Sequence, residues 1–299
     1  MFQNLSDLEK AIKNSGERKT LALAVSHDEH SLGAIARAYR QGLITPIFVG
    51  DEQKTRQFIE ELGLDFGSDV EFVDELDETE AVRIAVTLVS SGKAHFLMKG
   101  KVATPYLLKG VLNKEWGLRT GKLLSHLAYF EVENYHKLIG VTDVAMNIAP
   151  NLQDKIQIVN NSVSYLNKLG VSEPKVAILG AIEMVNENMQ ATLDAALLSK
   201  MQERDQIKNC IIDGPLAFDN AVSMDSAKHK NINSKVAGDT DILVMPDIEV
   251  GNVLYKSLVF FAKARVASVI LGASAPIVLT SRSDSEDTKY YSILFAALG

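Results

Sequence analysis

Apolar and polar positions alternate along this chain in two periods that take turns. Short β-branched or aliphatic runs are followed by stretches in which apolar residues recur every three to four positions. Leu21–Ser26 reads as a strand and Ser31–Gln41 as a helix. Ile44–Val49 is a strand closed by Gly50, and Glu52–Leu62 a helix. Val70–Val73, Thr79–Ser90 and His95–Lys99 continue as strand, helix and strand. Strands spaced by helical segments are the pattern of βαβ units and a largely parallel sheet.

The middle changes character. Lys122–Val132 and Lys137–Asn147 are two strand-like runs with little helix between them, separated by the polar turn Glu133-Asn134-Tyr135. They predict an antiparallel hairpin appended to a parallel α/β scaffold. Alternation then resumes. Helix is expected over Asn151–Leu169, Met189–Met201, Asp219–Lys230, Asn252–Ala264 and Ser285–Ala297. Strands are expected over Val176–Leu179, Cys210–Asp213, Ile242–Met245, Ala267–Leu271 and Pro276–Thr280. No internal repeat, low-complexity segment or Pro/Gly-rich linker marks a domain boundary.

Composition adds bounds. Of 299 residues, 46% are hydrophobic and 23% charged, which suits a globular enzyme-sized chain and not a disordered one. The net charge of −7 speaks against a general nucleic-acid binder. Residues 1–17 are polar and amphipathic, and no apolar run reaches the roughly 18 residues of a membrane span. The expectation is a cytoplasmic protein without a membrane or nucleic-acid partner. The one cysteine, Cys210, sits in an apolar run with no activating neighbour and reads as a buried structural residue.

Four polar junctions, each just past an apolar strand, are the candidates for chemistry. In Thr280-Ser281-Arg282-Ser283-Asp284-Ser285-Glu286-Asp287, Ser283 and Glu286 have capping-box spacing. Ser281 and Arg282 then lie at a strand's carboxyl end beside a helix N-terminus, where free N–H groups and a forked guanidinium favour a phosphate. A capped helix with one exposed arginine fits the same residues equally well. In Pro246–Asn252, Gly251 permits close backbone approach, and Asn252 can bind a ligand or cap the helix. In Met98–Pro105, Lys99, Lys101 and Thr104 can hold a phosphate. The wider basic run to Lys122 has a plainer reading as a solvated helix face. Asp213–Asp219 can orient a substrate or cap the next helix. Together the four suggest the cleft of an α/β enzyme.

Other chemistries lack their motifs. No dinucleotide fingerprint or Walker loop is present; Gly117–Lys122 is one residue short of the latter and runs into Leu123. Nor is there a nucleophile elbow or a histidine or cysteine metal spacing. His27 and His30 read as surface residues and His126 as a satisfied core or cleft histidine.

Taken in order, these junctions resemble the phosphate acetyl/butyryltransferase family. The resemblance rests on Ala237–Asn252 with Tyr255-Lys256 and Phe261–Lys263, on Asp213–Asp219, and on the Ser281-Arg282 pair, and it runs from about residue 80 to the end. The butyryl branch is the nearer match, through Met98–Thr104, Leu124-Ser125-His126 and Thr280–Asp284. The resemblance implies two α/β domains with an interdomain cleft, as in isocitrate and isopropylmalate dehydrogenases. Residues 1–119 with 268–299 would form one domain and 120–267 the other. It implies reversible butyryl transfer between coenzyme A and inorganic phosphate, with acetyl or branched-chain transfer as the alternative and an NAD-dependent dehydrogenase of the same fold as a remote one. Ser281, Arg282 and Asp287 are the implied catalytic residues, with Asp284 the ungapped rival to Asp287. Lys99, Lys101, Thr104, Asn252 and Asp284 are the implied substrate contacts. Acyl-CoA and phosphate enter as substrates, no metal or other cofactor is required, and a homo-oligomer is implied.

Overall fold

The computed structural model describes residues 2–281 and 284–299. The chain separates into two compact units. The first comprises Leu5–Lys122 with Val266–Gly299, the second residues 2–4 with Leu123–Arg265.

The first unit opens with α1 (Ser6–Ser15), β1 (Lys19–Ala24), α2 (Glu29–Arg40), β2 (Ile44–Gly50), α3 (Glu52–Glu61), β3 (Glu71–Asp74), α4 (Glu78–Ser90), β4 (Phe96–Lys99) and α5 (Thr104–Val111). Three helices start on an aspartate. Asp28, Asp51 and Asp77 cap α2, α3 and α4 by accepting from the N–H groups of Ser31, Lys54 and Glu80 at 3.1, 2.9 and 2.8 Å. Each satisfies a donor that the helix leaves unpaired.

The second unit contains β5 (Ser125–Glu131), β6 (Ile139–Thr142), α6 (Leu152–Lys168), β7 (Lys175–Leu179), α7 (Gln190–Glu203), β8 (Ile211–Leu216), α8 (Phe218–Val222), α9 (Met224–His229), β9 (Ile242–Val244) and α10 (Ile248–Phe260). The expected hairpin is there: β5 and β6 pair antiparallel with Tyr129 opposite Gly140. Strand order in this unit is β5-β6-β9-β7-β8, and every pairing after the first is parallel. α6 carries a full capping box: Asn151 accepts from the Asp154 N–H at 3.0 Å and Asp154 accepts from the Asn151 N–H at 3.1 Å.

β10 (Arg265–Leu271) returns the chain to the first unit, followed by β11 (Ile277–Val278) and α11 (Glu286–Ala297). Strand order in the first unit is β3-β2-β1-β4-β11-β10. β11 is parallel to β4 and antiparallel to β10. Leu21–Ala24 of β1 and all of β4 are buried, as expected of central strands covered on both faces.

The α/β expectation holds, and several local expectations are corrected. The single helix over Asp219–Lys230 is two, because Ser223 leaves helical geometry to cap α9 by accepting from Ser226 N–H at 3.2 Å. α10 begins four residues earlier than Asn252, capped by Asp247, which accepts from Val250 N–H at 2.9 Å. α11 is capped by Ser285, which accepts from Thr288 N–H at 3.1 Å. Glu286 is therefore the first residue of that helix and not the third. Ser283, the expected cap, lies outside the described residues. Among the described residues no helix is long and apolar enough to cross a membrane.

Candidate active site

Two strand ends in the first unit build the site. β4 finishes at Lys99, whose side chain is buried and whose Nζ donates to the carbonyls of Gly100 and Val102 at 3.2 and 3.3 Å. The chain then turns tightly against the end of β1. Gly100 N–H donates to Ala24 O at 2.9 Å and Lys101 N–H to Val25 O at 2.8 Å. A Cβ on Gly100 would collide with the Val25 carbonyl oxygen and lie 2.7 Å from that of Ala24. This close approach is what requires glycine there.

Beside it, β11 runs into Thr280 and Ser281. Ser281 N–H donates to Asp284 Oδ2 at 2.6 Å, and Asp284 N–H returns a bond to Ser281 O at 3.2 Å. Lys289, one turn into α11, is buried. Its Nζ donates to Ser281 O at 2.8 Å and to Thr280 Oγ1 at 3.3 Å. Burial pushes its pKa below the ordinary lysine range, while Asp284 and Asp28 pull it back up. The α2 N-terminus supplies Asp28 and Ser31, joined by the cap.

These elements enclose one small pocket, lined by Asp28, Ser31, Lys99, Gly100, Lys101, Thr280, Ser281 and Lys289. Three ammonium groups face a single carboxylate, so the lining is net positive and suits a compact anion. A hydroxyl, Ser281, stands at its exposed edge.

Residues 75–297 match the family model for phosphate acetyl/butaryl transferase. The chain belongs to that family. It is an acyltransferase of the kind that moves an acyl group between coenzyme A and phosphate. It is 47% identical to phosphate butyryltransferase of Clostridium beijerinckii, covering 100% of this chain and 98% of that protein. It is 46% identical to phosphate acetyltransferase of Thermotoga maritima, covering 97% and 99%. Among solved structures, a branched-chain phosphotransacylase from Enterococcus faecalis superposes with a TM-score of 0.84 at 35% identity, covering 94% of this chain and 98% of the other.

Of the residues that the family resemblance implied, Lys99, Lys101 and Ser281 line this pocket together, and Asp284 holds the Ser281 main chain. Asp287 stands in the first turn of α11, where its Oδ1 accepts from Arg37 Nη1 at 2.6 Å. Thr104 opens α5 and stands outside the lining residues, with Ala103 in the cap position. Arg282 lies outside the described residues. Asn252 belongs to the second unit, within α10, and its Nδ2 donates to Val144 O at 3.4 Å. The neighbouring Gly251 packs on the Asp143–Val144 backbone, where a Cβ would collide with the Asp143 carbonyl oxygen.

Lys289, Asp28 and Ser31 are not among the residues that the sequence offers as site candidates, and Thr280 enters there only as part of the Thr280–Asp284 motif. Lys289 did leave a signal: it is the one basic residue in Ser285–Ala297, and Tyr290–Ala297 behind it are all buried.

The second unit has its own cavity of about 690 Å³, formed past the ends of β7 and β9. Its walls are mainly apolar, with Leu179, Met189, Phe218, Met245, Pro246 and Val253 among them. Cys210 is buried, and burial pushes its thiol up to about 11, consistent with a structural role. His126 is buried as well, but its Nδ1 has no hydrogen-bond partner among the described residues, so the expectation of a satisfied histidine is corrected.

Proposed function

We propose that this chain is a phosphate butyryltransferase that reversibly transfers a butyryl group between coenzyme A and inorganic phosphate, giving butyryl phosphate. The observation that carries this reading is the convergence of Lys99, Lys101 and Ser281 on one cationic pocket at the ends of β4 and β11. The two compact units are read as the two domains of the enzyme, which works in the cytoplasm as a homo-oligomer.

In the forward direction a phosphate oxygen attacks the thioester carbon. A tetrahedral oxyanion forms, the carbon–sulfur bond breaks, and coenzyme A leaves as a thiolate that takes up a proton. Holding both substrates in line supplies much of the rate. Lys99, Lys101 and Arg282 grip phosphate, and Ser281 donates to the developing charge or the sulfur. In reverse a carboxylate removes the thiol proton, and Asp287 is assigned this part, with Asp284 as rival. Thr104 and Asn252 are each read as substrate contacts within their own unit.

Acetyl or branched-chain transfer is the second reading of the acyl group. The butyryl and acetyl relatives differ by one percentage point of identity, and one methylene changes discrimination by only about 1–3 kcal/mol.

Thiol release can be followed with acetyl-, propionyl-, butyryl- and isobutyryl-CoA, with and without phosphate, using Arg282→Ala as control. Phosphate-dependent release fastest with butyryl-CoA and lost in the variant is expected. A faster acetyl substrate would overturn the butyryl assignment; no phosphate-dependent release would overturn the reaction.

A further inference from the structure

Lys289 is a charged group in a costly place. Its neighbours along α11, from Tyr290 to Ala297, are buried, and the lysine itself is 2% exposed. A desolvated ammonium needs compensation from a charge of opposite sign or a full set of acceptors. Among the described residues it has no carboxylate within ion-pair distance and an incomplete set of acceptors. Its hydrogen bonds go to two neutral oxygens, Thr280 Oγ1 and Ser281 O, which leaves one of its three N–H donors. Among the described residues no carboxylate forms an ion pair with it; Asp28 and Asp284 act on it only from a distance. The ammonium lines the same pocket as Lys99 and Lys101.

We propose that Lys289 is a phosphate-binding residue of this site, its ammonium aimed by Thr280 and Ser281 so that the remaining N–H meets a phosphoryl oxygen of the substrate. This rests on the acyl transfer to phosphate proposed above. A bound phosphate dianion completes the acceptor set of the ammonium and supplies the missing countercharge. The same two anchoring bonds tie the anion's position to the main chain of Ser281, so the attacking phosphate and the serine hydroxyl are set by one side chain. Phosphoryl oxygens come from two sources in this reaction, the transferred phosphate and the phosphates of coenzyme A. The small size of the pocket and its position at the serine favour the transferred phosphate.

The test compares wild type with Lys289→Met, which keeps the length without the charge, and Lys289→Arg, which keeps the charge. Steady-state thiol release is measured while phosphate and butyryl-CoA are varied separately. Phosphate binding is measured by titration calorimetry without acyl-CoA, and folding is checked by thermal unfolding. The expected result for Lys289→Met is a KM for phosphate raised about tenfold or more, the loss of one charge-assisted bond, with the KM for butyryl-CoA within about twofold. Calorimetric affinity for phosphate should fall in parallel, and Lys289→Arg should recover part of both. An unchanged phosphate KM with a lower kcat would overturn the proposal in favour of a role confined to holding Ser281. A raised KM for butyryl-CoA alone would overturn it in favour of a coenzyme A phosphate. If Lys289→Met does not fold, Lys289→Gln, which removes the charge and keeps a polar end, takes its place: phosphate affinity equal to that of wild type in Lys289→Gln would also overturn the proposal. Should wild type release no thiol, the transfer reaction itself has failed, and calorimetry still judges Lys289 separately: phosphate bound equally with and without the lysine, or not at all, overturns it.

Discussion

Arg37 Nη1 lies 2.6 Å from Asp287 Oδ1, a contact between residues 250 apart in the chain. The guanidinium also lies 3.7 Å from the centre of the Tyr290 ring. This arrangement ties α2 to the first turn of α11 just beyond the serine loop. It also separates the two aspartates that follow Ser281: Asp284 accepts from the Ser281 N–H, and Asp287 accepts from Arg37.

The two acids should therefore fail differently. With Asp287 as the base, Asp287→Asn is expected to lower kcat by about 10²-fold or more. Asp284→Asn, which weakens one main-chain bond, should cost less activity. Arg37→Ala removes a half-exposed pair and should lower stability by no more than about 1 kcal/mol. Rates of thiol consumption in the reverse direction, read beside urea unfolding, check all three; the opposite order for the two asparagine variants would transfer the base role to Asp284.

Gly100 should not tolerate a methyl group. Its missing side chain lets the loop after β4 close on the carbonyls of Ala24 and Val25. Gly100→Ala must push the loop away and with it Lys99 and Lys101. A destabilisation of about 1–3 kcal/mol is expected, with kcat/KM for phosphate down by about 10²-fold, since displacements near 1 Å are that costly. Denaturant midpoints and initial rates on the purified variant measure both.

In the second unit, Lys155 and Asp194 form a buried pair at 2.7 Å, with side chains 5% and 4% exposed. Gln190 Nε2 donates to the other carboxylate oxygen at 2.8 Å. Asp194→Ala strands the ammonium and should cost about 3–5 kcal/mol. Replacing both partners with apolar residues, as in Lys155→Met with Asp194→Leu, should recover most of that. Urea unfolding of the single and double variants gives the comparison.

His126 sets a pH dependence of stability. Burial pushes its imidazole down to about 4, with Asp143 pulling the other way. An unfolded histidine titrates near 6.5, so between about pH 6.5 and 4 the unfolded chain binds a proton that the folded one refuses. Stability from this group is complete above about pH 6.5 and falls as the pH drops towards 4, by a few kcal/mol in all. His126→Gln should flatten the dependence of the urea midpoint over that range. A slope identical to wild type would assign the acid sensitivity elsewhere.

The alternation of apolar runs and helical periods was enough to place the strands of both units and their helices other than α1 and α5, because burial on both faces of a strand writes itself as a continuous apolar run. It was also enough to find the β5–β6 hairpin, where helix periodicity lapses. Helix starts were harder. Ser285 and Asp247, and not Ser283 and Asn252, cap α11 and α10, because several residues in each junction have the right side chain and only backbone geometry selects among them. The sequence by itself determined the α/β class, the family, and the strand-end segments carrying Lys99, Lys101 and Ser281, since each is a local signature. Only the tertiary structure decided that these three share a pocket with Lys289, Thr280 and Ser31, and that Asp287 meets Arg37 instead. Those relationships depend on β1, β4 and β11 lying side by side and on α2 packing near α11, contacts between residues up to 250 positions apart that no local pattern encodes.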